Sequence, residues 1–503
     1  MVASTAWVAI AVAVPLLAAL ASLWQGRWTA LIVAVLAIPG SLLANVGVVW
    51  TVFELGVHRH PVGGWGAPLG IDLHVDGLAA AFLALLALIA AVITVHMLVD
   101  PDMRALSPRR RSLFWSLWYL VWGALAAMFV SGDAFNIYVT LELATLAGVI
   151  LVSFGHGTTA LFASMRYLLL GTFGALSYVL GVALLYGDTG TLDLALMAER
   201  IGSGAAPVVA AGLVTVGLAV KAALVPLHVW LPPAHASAPA GVSAILSALV
   251  VKAGFYLMVR FWFGPFVQLD GATWTVLGIL GAVGVVWGSL CAIRQERLKL
   301  LIAYSTVAQV GYLFLLFPLV AGGAHAAAWS GAHYLALSHA AAKAAAFLAA
   351  GNILTSQGDD RLSMIARAAR HHHLSLLAFG LAGATLMGLP PSGGFLAKWL
   401  LVTAAVDTGQ WWWAAVLIAG GILAAIYVYR VVRLAYVTSP AEPPGSTGPP
   451  RPPGLLPVPM VAILAALALA LLSVVLGFAS AMPLRLLEIG MPAVVPPEPE
   501  PGR

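Results

Sequence analysis

Apolar runs of about 20 residues recur from one end of this sequence to the other, and nothing else in it constrains the fold as tightly. A run of that length crosses the hydrocarbon core of a bilayer as a helix, where only helices and closed barrels satisfy their own backbone hydrogen bonds. Of 503 residues, 62% are hydrophobic and 9% are charged, so an all-α polytopic membrane protein is expected. The net charge of +5 is not a nucleic-acid footprint, because most basic residues fall in short loops that set orientation. Cys291 is the only cysteine, which excludes an intrachain disulfide, a thiolate metal cluster and an iron–sulfur site. No basic region precedes the first apolar run and no small-residue cleavage site follows it, so residues 5–24 read as a retained span rather than a signal peptide.

The runs predict spans at 5–24, 28–53, 76–98, 113–130, 134–154, 160–186, about 205–225, 238–260, 272–292, 300–318, 325–354, 374–406, 412–436 and 458–479. Between the second and third lies a loop, 54–75, with His58, His60 and His74 but no ligand spacing, so no metal is expected. A Pro-rich linker at 438–457 and a Pro- and Glu-rich tail at 492–503 carry no core-forming pattern. With the N-terminus outside, Arg27, Arg109–Arg111, Arg294, Arg297, Lys299, Arg361, Arg367, Arg370, Arg430, Arg433 and Arg451 all fall inside. That agreement supports an even count near fourteen, with both termini on the outer side of a bacterial inner membrane.

Charge placement is the functional signal. Four of the five lysines, Lys221, Lys252, Lys343 and Lys398, sit in apolar runs; only Lys299 falls in an evident loop. Glu142 is the one acid well inside an apolar run. A charged side chain at bilayer depth costs about 2.5–3.5 kcal/mol on insertion scales, so by default it marks an ion path. Helix breaks accompany the lysines: Pro226, Pro232 and Pro233 follow Lys221, while Gly388, Pro390, Pro391, Gly393 and Gly394 precede Lys398. Interrupted helices survive only where protein or water covers the freed backbone groups. His333, His339 and Lys343 lie at roughly helical spacing, and neutral histidine beside lysine is a workable proton relay. His228 and His235 in the first break are supporting candidates. The lysine-plus-break pattern echoes between spans seven and twelve, which suggests two five-helix units, with domains at 1–112, 113–262, 263–437 and 438–503.

At these residues the chain resembles a known superfamily. VKAALVPLHVWLPPAHASAPAGVSAILSALVVKAGFYLMVR, GDAFNIYVTLEL around Glu142, HYLALSHAAAKAAAF and GLPPSGGFLAKW are similar to the proton-conducting domain shared by Mrp-type cation/proton antiporters, respiratory complex I and membrane-bound hydrogenases. The resemblance implies fourteen helices in two inverted five-helix repeats with helices seven and twelve broken. It implies that Glu142 and Lys221 interact, and that Lys252, His333, His339 and Lys343 lead on to Lys398 near an exit. Lys398 matches the D-type component of Mrp antiporters and the N- and L-like components of complex I, whereas the M-like component has glutamate there. Pro233 departs from the aspartate usual in complex I and hydrogenase relatives, and HAAAK lacks the aromatics often found before that lysine. The Mrp D-type component is the reading adopted.

The expected function is therefore proton translocation within a multisubunit membrane complex, coupled to monovalent cation (sodium) antiport. Burial favours a neutral amine and a nearby carboxylate favours the ammonium, so moving a partner switches proton affinity. The sequence holds no nucleotide loop and no redox ligand set, so no cofactor is expected. Two rivals use the same residues differently: a pump module driven by redox partners in a complex I-like enzyme or hydrogenase, and a structural scaffold with a dead ion path.

Overall fold

A computed structural model describes residues 2–26, 28–155, 157–269, 272–365, 372–436 and 457–493. The linker expected at 438–457 and the tail at 492–503 fall almost wholly outside those residues, as do Arg27, Arg367 and Arg370. The chain runs α1 (Val2–Ala21), α2 (Thr29–Leu55), β1 (His58–Pro61), β2 (Asp72–Val75), α3 (Gly77–Val99), α4 (Pro108–Val130), α5 (Ala134–Val152) and α6 (Gly157–Thr189). Next come α7 in two pieces (Ala205–Lys221 and Leu231–Ser237), α8 (Ala240–Trp262), α9 (Ala272–Arg294), α10 (Leu298–Ala321) and α11 (His325–Gln357). It continues with α12, again in two pieces (His373–Met387 and Gly393–Asp407), α13 (Trp411–Tyr436) and α14 (Met460–Phe478). Ten of these helices are long and apolar enough to cross a membrane. The other four are α1, the two broken helices and α11, which carries His333, His339, Lys343 and Asn352. The protein is thus an all-α, multi-pass membrane protein.

Burial sorts the helices. Every residue of α8 in its apolar window is buried, and α10 is nearly so, whereas most of α13 and α14 faces outward. The two central helices therefore need protein partners for any polar group they carry, because lipid supplies none. Helix starts are fixed by short acids and hydroxyls. Asp76 accepts from the Ala79 amide at 2.8 Å, Asp133 from Asn136 at 2.7 Å, and Ser392 from Phe395 at 3.2 Å, each satisfying an amide that has no intrahelical acceptor.

Three expectations change. Residues 54–75 are not a plain loop: β1 and β2 pair antiparallel, with Arg59 opposite His74. Four-residue strands carry too little alternation to be read from sequence, and this hairpin is held by Arg59, which bonds Asp72 across it at 3.4 Å and Asp193 outside it at 3.0 Å. Lys299 is not in a loop. It lies in the first turn of α10, buried, and donates to the carbonyl of Ala238 at 2.5 Å. The basic run before it imitates a loop, but Arg297 and the Lys299 amide both bond the Asp360 carboxylate, which seats this turn in the protein. Finally, the first piece of α7 stops at Lys221 rather than near 225.

Candidate functional site

Lys221 is the last residue of the first piece of α7, where the helix dipole favours a cation. Its Nζ donates to Glu142 Oε1 at 2.6 Å and to Thr145 Oγ1 at 2.8 Å. Glu142 and Thr145 sit three residues apart on α5, so one helical face presents a carboxylate and a hydroxyl together. The break beyond Lys221 is pinned in place. Trp230 donates to the Val220 carbonyl at 2.8 Å and stacks on Tyr167 with ring centroids 4.3 Å apart. Ala223 takes a φ of 55°, a left-handed conformation that costs a non-glycine residue about 1–3 kcal/mol and persists only where the surroundings impose it. A cavity of about 10 Å³ lined by Thr145, Tyr167, Lys221 and Trp230 adjoins the pair, which is room for about one water.

The remaining lysines bond backbone and hydroxyl oxygens rather than acids. Lys252 on α8 donates to the Ser247 carbonyl at 2.7 Å, inside a π-turn at Leu246–Val250. A π-turn widens the hydrogen-bond ladder by one residue and is frequent at functional sites. The Ser247 hydroxyl bonds Thr306 of α10 at 2.8 Å. On α11, Lys343 donates to the Ile302 carbonyl of α10 at 2.9 Å and to the Ser305 hydroxyl. Lys398, in the second piece of α12, reaches back to the last carbonyls of the first piece, Leu386 at 2.8 Å and Met387 at 3.2 Å, and lies 4.5 Å from the Tyr312 ring centroid. Both broken helices therefore set an ammonium at the negative end of their first piece, one by sequence position and one by reach. Gly388 makes the second arrangement possible: it turns the chain at φ 85°, and a Cβ there would stand 2.9 Å from Lys398 Cδ.

Two histidines join these groups. His339 lies within electrostatic range of Lys252, Lys343 and Lys398. His235 stacks on Phe347 at 4.7 Å and lies in range of Lys252, Lys299 and Lys343. Neither ring has a protein hydrogen-bond partner among the described residues. His333 stands apart: its Nδ1 bonds the Trp329 carbonyl at 2.7 Å, and the charges in range of it are Arg260 and Asp76. His228 lies in the α7 break, its Nδ1 likewise without a protein partner among the described residues. Pro226, Pro390 and Pro391 lie in the breaks proper, whereas Pro232, Pro233, Gly393 and Gly394 open the second pieces. Proline is at home in a first helical turn, where its missing donor costs nothing.

Residues 131–424, which hold Glu142 and all five lysines, match the family described as NADH:quinone oxidoreductase/Mrp antiporter, TM. The chain belongs to this family. It is 36% identical over 405 residues to the N subunit of the NADH-quinone oxidoreductase of Desulforudis audaxviator, covering 79% of each chain. It is 29% identical over 404 residues to the D subunit of the Na(+)/H(+) antiporter of Alkalihalophilus pseudofirmus, covering 80% of each. Its fold superposes on a chain of the Mrp complex from Dietzia sp. DQ12-45-1b with a TM-score of 0.86 at 26% identity, over 97% of this chain and 96% of that one.

This antiporter-like protein also has polar elements that sequence reasoning missed. Thr145 carries no charge and gave no signal, although its position one turn after Glu142 could have suggested a shared ligand face. A second buried pair joins α3 to α8: Arg260 donates to Asp76 through both terminal nitrogens, at 2.5 and 2.7 Å, and to Tyr256 at 2.6 Å. His74 approaches Asp76 to 3.5 Å, and the Tyr256 hydroxyl donates to the Phe129 carbonyl. Burial alone would raise the Asp76 pKa, but the Arg260 guanidinium and His74 outweigh it and hold the carboxyl well below the usual range. His96, buried at the other end of α3, bonds Asn352 of α11 at 2.9 Å.

Proposed function

We propose that this protein conducts protons along Glu142, Lys221, Lys252, His339, Lys343 and Lys398, with His235 supporting the middle of the path and His333 on a side branch. The Glu142–Lys221 contact at the α7 break carries this reading. It sets a proton-binding amine against a carboxylate and a hydroxyl beside an interrupted helix, where a small shift of the break changes the distance between them. Beyond the pair, the lysines bond carbonyl and hydroxyl oxygens, and the His235 and His339 rings in range of them can take up and pass a proton. Spans four to eight and nine to thirteen act as two inverted units, and the placing of a lysine ammonium at the C-terminal end of the first piece of each broken helix supports that division. The chain works in a bacterial inner membrane, with both termini and the β-hairpin outside and the arginine-rich loops inside.

The partners are other membrane subunits of the same complex, and the driving exchange is sodium for protons, as the name of the antiporter relative suggests. A second reading, redox-driven pumping, is favoured by the 36% identity to the quinone oxidoreductase relative. Inverted vesicles separate the two: sodium addition collapses a pre-formed proton gradient in the first reading, while only a reductant moves protons in the second. In either case Glu142→Ala should abolish proton movement while the complex still assembles. Wild-type flux in that variant would end the proposal.

A further inference from the structure

A groove of about 720 Å³ opens between α2, α3 and α4. Its wall on α2 runs from Ala30 past Ala34 to Pro39, about 13 Å of helix at 1.5 Å per residue, and Val95 and Leu98 of α3 face it. The small alanines leave the space, and nothing along these walls can pair with a polar ligand. One end differs, because Arg104 and Arg111 line it together with the interfacial rings of Trp28 and Trp115. Among the described residues neither arginine has a carboxylate within ion-pair distance.

Arg111 is also misplaced for a bare helix. Arg109, Arg110 and Arg111 occupy the first turn of α4, whose dipole repels cations there, and no acid in that turn compensates. An anion seated against them would relieve the repulsion. A smaller polar recess, lined by Gln25, Thr29 and Ser112, shares Arg111 and Trp115 with the groove.

We propose that this groove binds one anionic phospholipid, its phosphate on Arg104 and Arg111, its acyl chain between α2 and α3, and its headgroup hydroxyls at the recess. Basic pockets between membrane helices on the cytoplasmic side hold such headgroups. Phosphatidylglycerol is the probe. The full chain, extracted from membranes in mild detergent and delipidated, should rebind one phosphatidylglycerol by native mass spectrometry. Arg104→Gln/Arg111→Gln should weaken that binding about tenfold or more, at about 1 kcal/mol per arginine, and leave phosphatidylcholine binding unchanged. Arg104→Gln alone, at an exposed position, gives the same direction should the double variant fold poorly. Ala34→Trp should fill the groove and weaken both lipids. Three results would overturn the proposal: equal phosphatidylglycerol binding in the glutamine variants, displacement of the lipid by inorganic phosphate, or crosslinking of the Ala34→Cys variant through its new thiol to another protein rather than to lipid.

Discussion

Two of the carboxylate–cation pairs among the described residues have both side chains largely buried, and they are built to opposite ends. Asp76 and Arg260 join the start of one unbroken helix to the end of another through two parallel hydrogen bonds, with Tyr256 and His74 filling the remaining sites. Arginine stays protonated and its planar fork fixes the geometry, so this pair is a rivet. Glu142 and Lys221 meet through one hydrogen bond beside a helix break, with a single hydroxyl as the second acceptor. Lysine is a point charge on a flexible stem that can lose its proton, so the second pair can open. On the proposed path, the same opposite charges give stability in one place and proton exchange in the other. The cation type and the continuity of the helix decide which.

Arg260→Ala should have the largest effect on stability. It leaves the Asp76 carboxylate buried without its partner, a loss of about 3–5 kcal/mol in thermal or denaturant melts of the purified complex. Proton flux per assembled complex should be unchanged. Lost flux in a stable Arg260→Ala complex would break the distinction between rivet and switch.

Smaller, and of the opposite kind, is the effect at the break. Glu142→Gln and Lys221→Met should each lower stability, and the double variant should be less destabilised than the sum, with a coupling of about 0.5–3 kcal/mol. Transport should be absent in all three. Strict additivity in thermal shifts would mean that the two side chains do not compensate each other.

The smallest effect sharpens the rivet. Because the folded-state pKa of Asp76 is lowered, its stabilisation is complete above the unfolded carboxyl value of about 3.9 and is lost only as pH falls below that, through the folded value. With the neighbouring His74 replaced by Gln in both proteins, the stability gap between Asp76 and Asp76→Asn should therefore stay flat from about pH 5 to 8 and narrow only in stronger acid. A slope inside that window would show that the charge on Asp76 is not fixed.

Much of this architecture is legible in the sequence because its signals are local. Apolar run length gives the spans, and proline or glycine beside lysine gives both breaks. Glu142 and the four intramembrane lysines stand out because charge is rare in such runs. What escapes is non-local or uncharged. Asp76 and Arg260 lie 184 residues apart, each at the end of an apolar run where charge is unremarkable. The partners of Lys252, Lys343 and Lys398 are chiefly main-chain carbonyls, which no side-chain pattern announces. Lys299 reads as a loop residue because Arg294, Glu296 and Arg297 beside it look solvated, while the contacts that bury it come from Ala238 and Asp360 far along the chain. His333 shares a helix with His339 and Lys343, but the charges near it are those of the rivet, which spacing on one helix cannot show.

Lys221→Arg tests the central claim most directly. Arginine keeps a positive charge opposite Glu142 but does not release a proton in a protein. If Lys221 works by binding and losing a proton, the Lys221→Arg complex should assemble with Glu142 still paired, yet show no proton flux in reconstituted vesicles. Flux at the wild-type rate would mean that a fixed positive charge is enough at this position, and Lys221 would then be a second rivet.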